Sequence, residues 1–184
     1  MRLFLAIDPG ATCRRALAAQ VDALRETSAN VRWVKEDKLH VTLAFLGDVE
    51  ESRLLSLTDR FQALTLHPAF TVTVEGGGAF PDWRRARVIW FGLQDRGELQ
   101  RLGNDATALS ATLGFPSDHP FRAHLTVGRV SGSLTADERD RLRDRLSSVQ
   151  AHHFDVTRVV LMRSQPGRGG SVYSELAAFP LVGP

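Results

Sequence analysis

Cysteine is nearly absent from this chain: Cys13 is the only one in 184 residues. That excludes an intrachain disulfide framework and a cysteine-rich metal cluster. A lone cysteine in helical sequence reads as a small apolar filler. Lysine is almost as scarce. Two lysines stand beside 21 arginines, and 21 acidic residues bring the net charge to +2. So small a net charge excludes a nucleic-acid binder driven by a large positive field. Individual arginines still suit phosphate, because the guanidinium is a planar fork. No apolar run approaches the roughly 18 residues of a membrane span, and MRLFLAID is too short for a signal peptide. The expectation is a soluble cytoplasmic protein with no membrane partner. The length suits one compact domain or two small lobes sharing a core.

What the sequence does contain is one pattern written twice. His40-Val41-Thr42-Leu43-Ala44-Phe45-Leu46 is the first copy and His124-Leu125-Thr126-Val127-Gly128-Arg129-Val130 the second. Both read His, apolar, Thr, apolar, small, variable, apolar. With 6 His and 12 Thr in the chain, chance gives about 0.4 His-x-Thr triplets. Each copy lies in β-forming sequence. On a strand, side chains alternate between faces, so His and Thr share one face and the apolar residues the other.

The surrounding elements repeat as well. Leu3 to Ile7 reads as a strand. Asp8-Pro9 offers an N-cap and N1 proline for a helix to about Thr27, with Leu17, Val21 and Leu24 on one face. After an extended piece at Val31–Val34 comes the first motif strand, Leu39 to Leu46, and then a helix from Glu51 to Ala63. Phe70 to Val74 alternates as a strand that ends at Gly76-Gly77-Gly78, and Arg87 to Leu93 reads as another. A helix from Gly97 to Leu113 closes on Gly114 as C′ residue. The second motif strand spans Arg122 to Val130. A Thr-x-x-Glu capping box, Thr135 and Glu138, opens a helix to Val149. Strands at Phe154–Met162 and Val172–Ala178 flank a turn containing Gly167, Gly169 and Gly170. Strand, helix, motif strand, helix thus occurs twice, which reads as an internal duplication with a cleft between two lobes.

Histidine is the side chain that both gives and takes protons near neutrality. Two facing each other divide the work: one removes a proton from water and the other protonates a leaving alkoxide. A threonine two residues on donates to a phosphate oxygen as charge develops. Opening a phosphodiester with a strained leaving group needs this set. Neither motif holds a carboxylate, and His-x-Thr lacks the ligands of a zinc site, so no metal or other cofactor is expected. By parity Phe45 belongs to the core. Phe80, Trp83 and Phe121 are the aromatic candidates for stacking a nucleobase. Arg122 shares parity with His124 and suits a phosphate. Strict alternation sends Arg129 to the face opposite His124; it reaches the phosphate only if the strand bends or ends near Gly128, which a glycine permits. His67, His119, His152 and His153 are expected to lack this strand context, and adjacent residues such as His152 and His153 point apart on a strand. A non-catalytic RNA- or nucleotide-binding module, or a phosphodiesterase for a small cyclic phosphate, would use the same groove.

Paired His-apolar-Thr-apolar strands about 80 residues apart resemble the two-histidine phosphoesterase superfamily. The resemblance is closest to the bacterial and archaeal RNA 2′,3′-cyclic phosphodiesterases, also called LigT-like proteins or 2′-5′ RNA ligases. It extends over nearly the whole chain. Arg2 to Ile7 is similar to the family's opening strand, and Phe80-Pro81 with Arg87 to Trp90 to its middle segment. Leu161 to Ser164, with Gly170 and Tyr173, is similar to its closing hairpin. The family often has Pro before the second His, where this chain has Ala123, a position without a reactive group. The resemblance implies an α+β fold: a single bilobal domain, residues 1–184, duplicated about a pseudo-two-fold, with antiparallel sheets lining a central groove and helices packed outside. It implies metal-independent hydrolysis of RNA 2′,3′-cyclic phosphate ends to 2′-phosphate, with ligation secondary. His40 and Thr42 then form the first catalytic pair, with His40 as general acid on the 3′-oxygen. His124 and Thr126 form the second, with His124 as general base on water. Arg129 occupies a position where the family also places a basic residue. The expected partner is RNA with a cyclic phosphate end, or a cyclic nucleotide, bound by a monomer.

Overall fold

The computed structural model describes residues 1–168 and 170–183; Gly169, expected in the last turn, lies outside the described residues. Among them are nine strands, all paired antiparallel, and four α-helices. The strands are β1 (Arg2–Ile7), β2 (Val31–Trp33), β3 (Val41–Asp48), β4 (Phe70–Phe80), β5 (Val88–Gln94), β6 (His124–Val130), β7 (His152–Val156), β8 (Arg158–Gly167) and β9 (Gly170–Pro180). The helices are α1 (Ala11–Arg25), α2 (Leu54–Phe61), α3 (Glu98–Thr112) and α4 (Ala136–Ser147). One sheet runs β3-β1-β8-β9 and the other β2-β6-β5-β4-β7. This is the expected α+β architecture of two antiparallel sheets.

The sheets share the two halves of the chain. β2, from the first half, pairs with β6 in the second sheet, while β8 and β9, from the end, complete the first. The helices cross over likewise: α3 packs on β3, whereas α1 touches β2 and β7, and α4 lies on β4. A contiguous core joins both sheets, from Leu3, Leu5 and Val41 in one to Phe91, Leu125 and Val127 in the other.

Several elements form for the expected reasons. α1 buries Cys13, Leu17, Val21 and Leu24. Both bonds of the capping box, between Thr135 and Glu138, are made at the start of α4. Gly114 follows α3 with φ +92°, as a C′ glycine should.

Others differ. The N-cap of α1 is Gly10, not Asp8. Asp8 instead accepts the Gly10 N–H at 2.8 Å and pairs with Arg14. The stretch Gly76–Gly78 does not end a strand but lies inside β4, where an irregularity between Val74 and Gly77 lets the chain stay paired with β5. The glycines are needed there: a Cβ on Gly77 would collide with the Trp90 carbonyl oxygen, and one on Gly78 would sit 2.5 Å from the Trp90 ring. The run Phe154–Met162 is two strands, because the chain leaves the second sheet after Val156 and enters the first at Arg158. His152 and His153 therefore do lie on a strand, where His153 Nδ1 shares a hydrogen bond with Thr73 Oγ1 at 2.9 Å.

Candidate active site

Both motifs enter their strands in the same way. His40 directly precedes β3 and His124 is the first residue of β6. Nδ1 of His40 meets the Lys38 carbonyl oxygen at 2.8 Å, and Nδ1 of His124 meets the Arg122 carbonyl oxygen at 2.7 Å. A carbonyl only accepts, so Nδ1 carries a proton in both rings. Nε2 is left as the reacting nitrogen of each. In His40 it lies 3.0 Å from the Thr42 hydroxyl.

Each motif strand then carries a bulge at its fourth motif residue. In β3 the register passes from Thr42 opposite Ala6 to Ala44 opposite Leu5, leaving Leu43 extra. In β6 it passes from Thr126 opposite Trp90 to Gly128 opposite Ile89, leaving Val127 extra. Two successive residues therefore face the core, Leu43-Ala44 and Val127-Gly128, all four buried. The second of the doublet in β6 must be small: a Cβ on Gly128 would lie 2.6 Å from Val31 Cγ1. Beyond the bulge the parity is reversed. The variable sixth position, Phe45 or Arg129, is thereby turned to the face of His and Thr, and both residues are exposed.

This resolves the parity of Arg129 in the way a strand bend at Gly128 requires. Its positive charge reaches both imidazoles. The same device overturns the reading of Phe45 as core: its side chain is 66% exposed, because the period-2 count ignored the extra residue. Phe45 lies 6.1 Å from Phe4, ring centre to ring centre; Phe4 lies 5.1 Å from His40 and 5.1 Å from Tyr173, which stands edge-on to His40 at 5.4 Å. Phe4 and Tyr173 belong to a small apolar patch, with Ala6, Val160 and Met162, on the groove side of the first sheet. The alternation of Phe4 against Leu3 and Leu5 was a signal for this; the position of Tyr173 depends on the closing hairpin.

On the second sheet, Phe80 stands edge-on to His124 at 5.0 Å, stacks on Trp90 at 5.1 Å, and has the Arg122 guanidinium 5.8 Å above its ring. Phe80 and Arg122 are thus brought to the site. Trp83 and Phe121 are not: Trp83 lies under Arg143 of α4 at 5.5 Å, and the Phe121 ring covers Gly103 of α3, filling the place a Cβ would take. Their rings pack against α4 and α3, contacts that local sequence does not announce. His67 pairs with Asp105 at 3.0 Å, and the His119 backbone closes a turn on Ser117.

Burial, chiefly, pushes both imidazoles below the ordinary histidine value, and the Arg129 charge pushes further in the same direction. For His40 the charge of His124 adds to this, against the hydrogen bond to Lys38 and the carboxylate of Asp8. The His124 charge acting on His40 places the two rings within electrostatic reach of each other.

Two facing His-x-Thr strands with an arginine reaching both rings define the class of two-histidine phosphoesterases. Comparison with known proteins agrees. The family model for LigT-like phosphoesterases matches residues 7–90 and 93–173, and the chain belongs to that family. It is 36% identical over 179 residues to an RNA 2′,3′-cyclic phosphodiesterase of Archaeoglobus fulgidus, covering 97% of this chain and 99% of the relative. Among solved structures, TT0787 of Thermus thermophilus superposes with a TM-score of 0.78 at 27% identity, over 100% of this chain and 99% of that one. Escherichia coli LigT complexed with 3′-AMP superposes with a TM-score of 0.76 at 30% identity, over 98% and 97%.

Proposed function

We propose that this protein hydrolyses the 2′,3′-cyclic phosphate at an RNA 3′ end to a 2′-phosphate, residues 1–184 acting as one catalytic unit, a cytoplasmic monomer. The observation that carries the reading is the matched pair of imidazoles, each with Nδ1 tied to a carbonyl two residues back and Nε2 left to react. His124 Nε2 takes a proton from water as the water oxygen attacks phosphorus. His40 Nε2 gives a proton to the ribose 3′-oxygen as the P–O3′ bond breaks. The two rings flank the phosphate, as in-line displacement requires. Thr42 and Thr126 donate to the non-bridging oxygens, and Arg129 and Arg122 hold the negative charge. A bound phosphate anion also raises the His40 pKa, restoring the protonated acid that burial and the Arg129 charge disfavour.

The test is incubation of an oligonucleotide ended by a 2′,3′-cyclic phosphate in EDTA, with the product resolved by a 3′-specific phosphatase or phosphorus NMR. Release of a 2′-phosphate is expected. A 3′-phosphate would reverse the substrate in the groove. Binding without turnover would make the protein an RNA-binding module, and turnover of only small cyclic phosphates would move the substrate class.

A further inference from the structure

The Arg129 that reaches both imidazoles has a second guanidinium directly across from it. β2 and β6 pair with Arg32 opposite Arg129. Val31 and Trp33 are buried, so Arg32, exposed between them, points to the other face of β2. Gly128 faces the core against Val31 and Trp33, which puts Arg129 on the same face as Arg32. Like charges directly opposite each other in an antiparallel pair repel. Neither arginine is in an ion pair with a carboxylate among the described residues. The repulsion is relieved when anionic groups bind beside the pair.

The position of the pair says which anion. β2 is the edge of its sheet, so Arg32 stands at the rim of the groove while Arg129 reaches inward to the histidines. The sixth motif position on the opposite wall is Phe45, beside Phe4. At this position one wall thus offers an aromatic ring and the other two successive cations, which matches a nucleic-acid strand with a base to one side and its phosphates to the other.

Resting on the hydrolytic reading above, we propose that Arg32 binds the phosphodiester immediately 5′ of the terminal nucleotide, so that the site selects an oligoribonucleotide end over a cyclic mononucleotide. Arg129 serves the terminal phosphate and Arg32 the next one.

The test compares two ligands that resemble the product: a trinucleotide ended by a 2′-phosphate, and a nucleoside 2′-phosphate with no 5′-phosphate. Binding is measured by calorimetry over a range of KCl concentrations for the wild type, Arg32→Gln and Arg32→Lys. The wild type should prefer the trinucleotide, and Arg32→Gln should cut that preference about tenfold, as for one charge-assisted phosphate contact. The slope of log K against log salt for the trinucleotide should fall by about 0.7, the value for one phosphate of a single strand, and Arg32→Lys should restore it. A methylphosphonate at the linkage immediately 5′ of the terminal nucleotide should weaken the wild type equally and add nothing in Arg32→Gln. Equal loss on both ligands, a wild type that does not prefer the trinucleotide, or a harmless methylphosphonate would each overturn the assignment. Binding needs no turnover, so failure of hydrolysis and failure of this contact are read separately.

Discussion

At the scale of single residues, each histidine of the candidate site is held by one backbone contact. The carbonyls of Lys38 and Arg122 hold the Nδ1 protons, so orientation and tautomer are set before substrate arrives. His40→Ala and His124→Ala should each lower turnover by at least about a hundredfold with the fold intact, since each removes a proton-transfer partner. Circular dichroism with single-turnover rates checks this; a well-folded variant within tenfold of wild type would remove histidine from the mechanism. Phe45 separates two pictures of the same residue. A core phenylalanine costs about 3–5 kcal/mol when cut to alanine, whereas an exposed one costs within about 0.5 kcal/mol. With 66% exposure, Phe45→Ala should melt near wild type. It should weaken oligonucleotide binding roughly tenfold or more if a base stacks on it. A large fall in Tm with unchanged binding would return Phe45 to the core.

At the scale of elements, the bulge in each motif strand decides which side chains meet the substrate. Gly128→Ala forces a methyl group to 2.6 Å from Val31 Cγ1. It should cost about 1–3 kcal/mol, as overpacking does, and reduce activity beyond the stability loss because Arg129 is re-aimed. Chemical denaturation beside kcat/KM measures both; a variant fully active and destabilised would mean that Arg129 tolerates the shift. The same elements show how far the sequence could be read. His40, Thr42, His124 and Thr126 were legible, because they precede the bulge and plain alternation still holds. Phe45 was not, because it follows one, and an extra residue leaves no mark in an apolar run. The small fifth residue, Ala44 or Gly128, was the one visible trace, and at Gly128 it takes its meaning from Val31 on a neighbouring strand. The break at Thr157 was hidden for a related reason. Two consecutive strands of one pattern belong to different sheets, and only long-range pairing separates them.

At the scale of the whole molecule, the two lobes bury their histidines together, and this sets the response to pH. Burial pushes both rings below the ordinary value, which favours their neutral forms in the free protein at neutral pH. The working form needs one ring charged and one neutral. The profile of kcat/KM should therefore be bell-shaped with its maximum on the acid side of about 6.5; a maximum above 7.5 would contradict the burial argument. Stability follows the same sign. Unfolding frees both rings to bind protons at their ordinary value, so the unfolded chain binds more protons than the folded one. Stability from this source is then lost as the pH falls below about 6.5. The interleaving of the halves has a different consequence, for how such a molecule can be divided. The turn after Arg85 joins β4 to β5, and a cut there leaves β1 and β3 on one fragment and their sheet partners β8 and β9 on the other. The second sheet is divided too, with β2 and β4 parted from β5, β6 and β7. Neither fragment retains a complete sheet to fold on, although each carries a complete His-x-Thr motif. Expressed apart, the two should be unstructured and inactive; mixed, they should recover helical signal and turnover together, making the halves obligate complements rather than independent folding units.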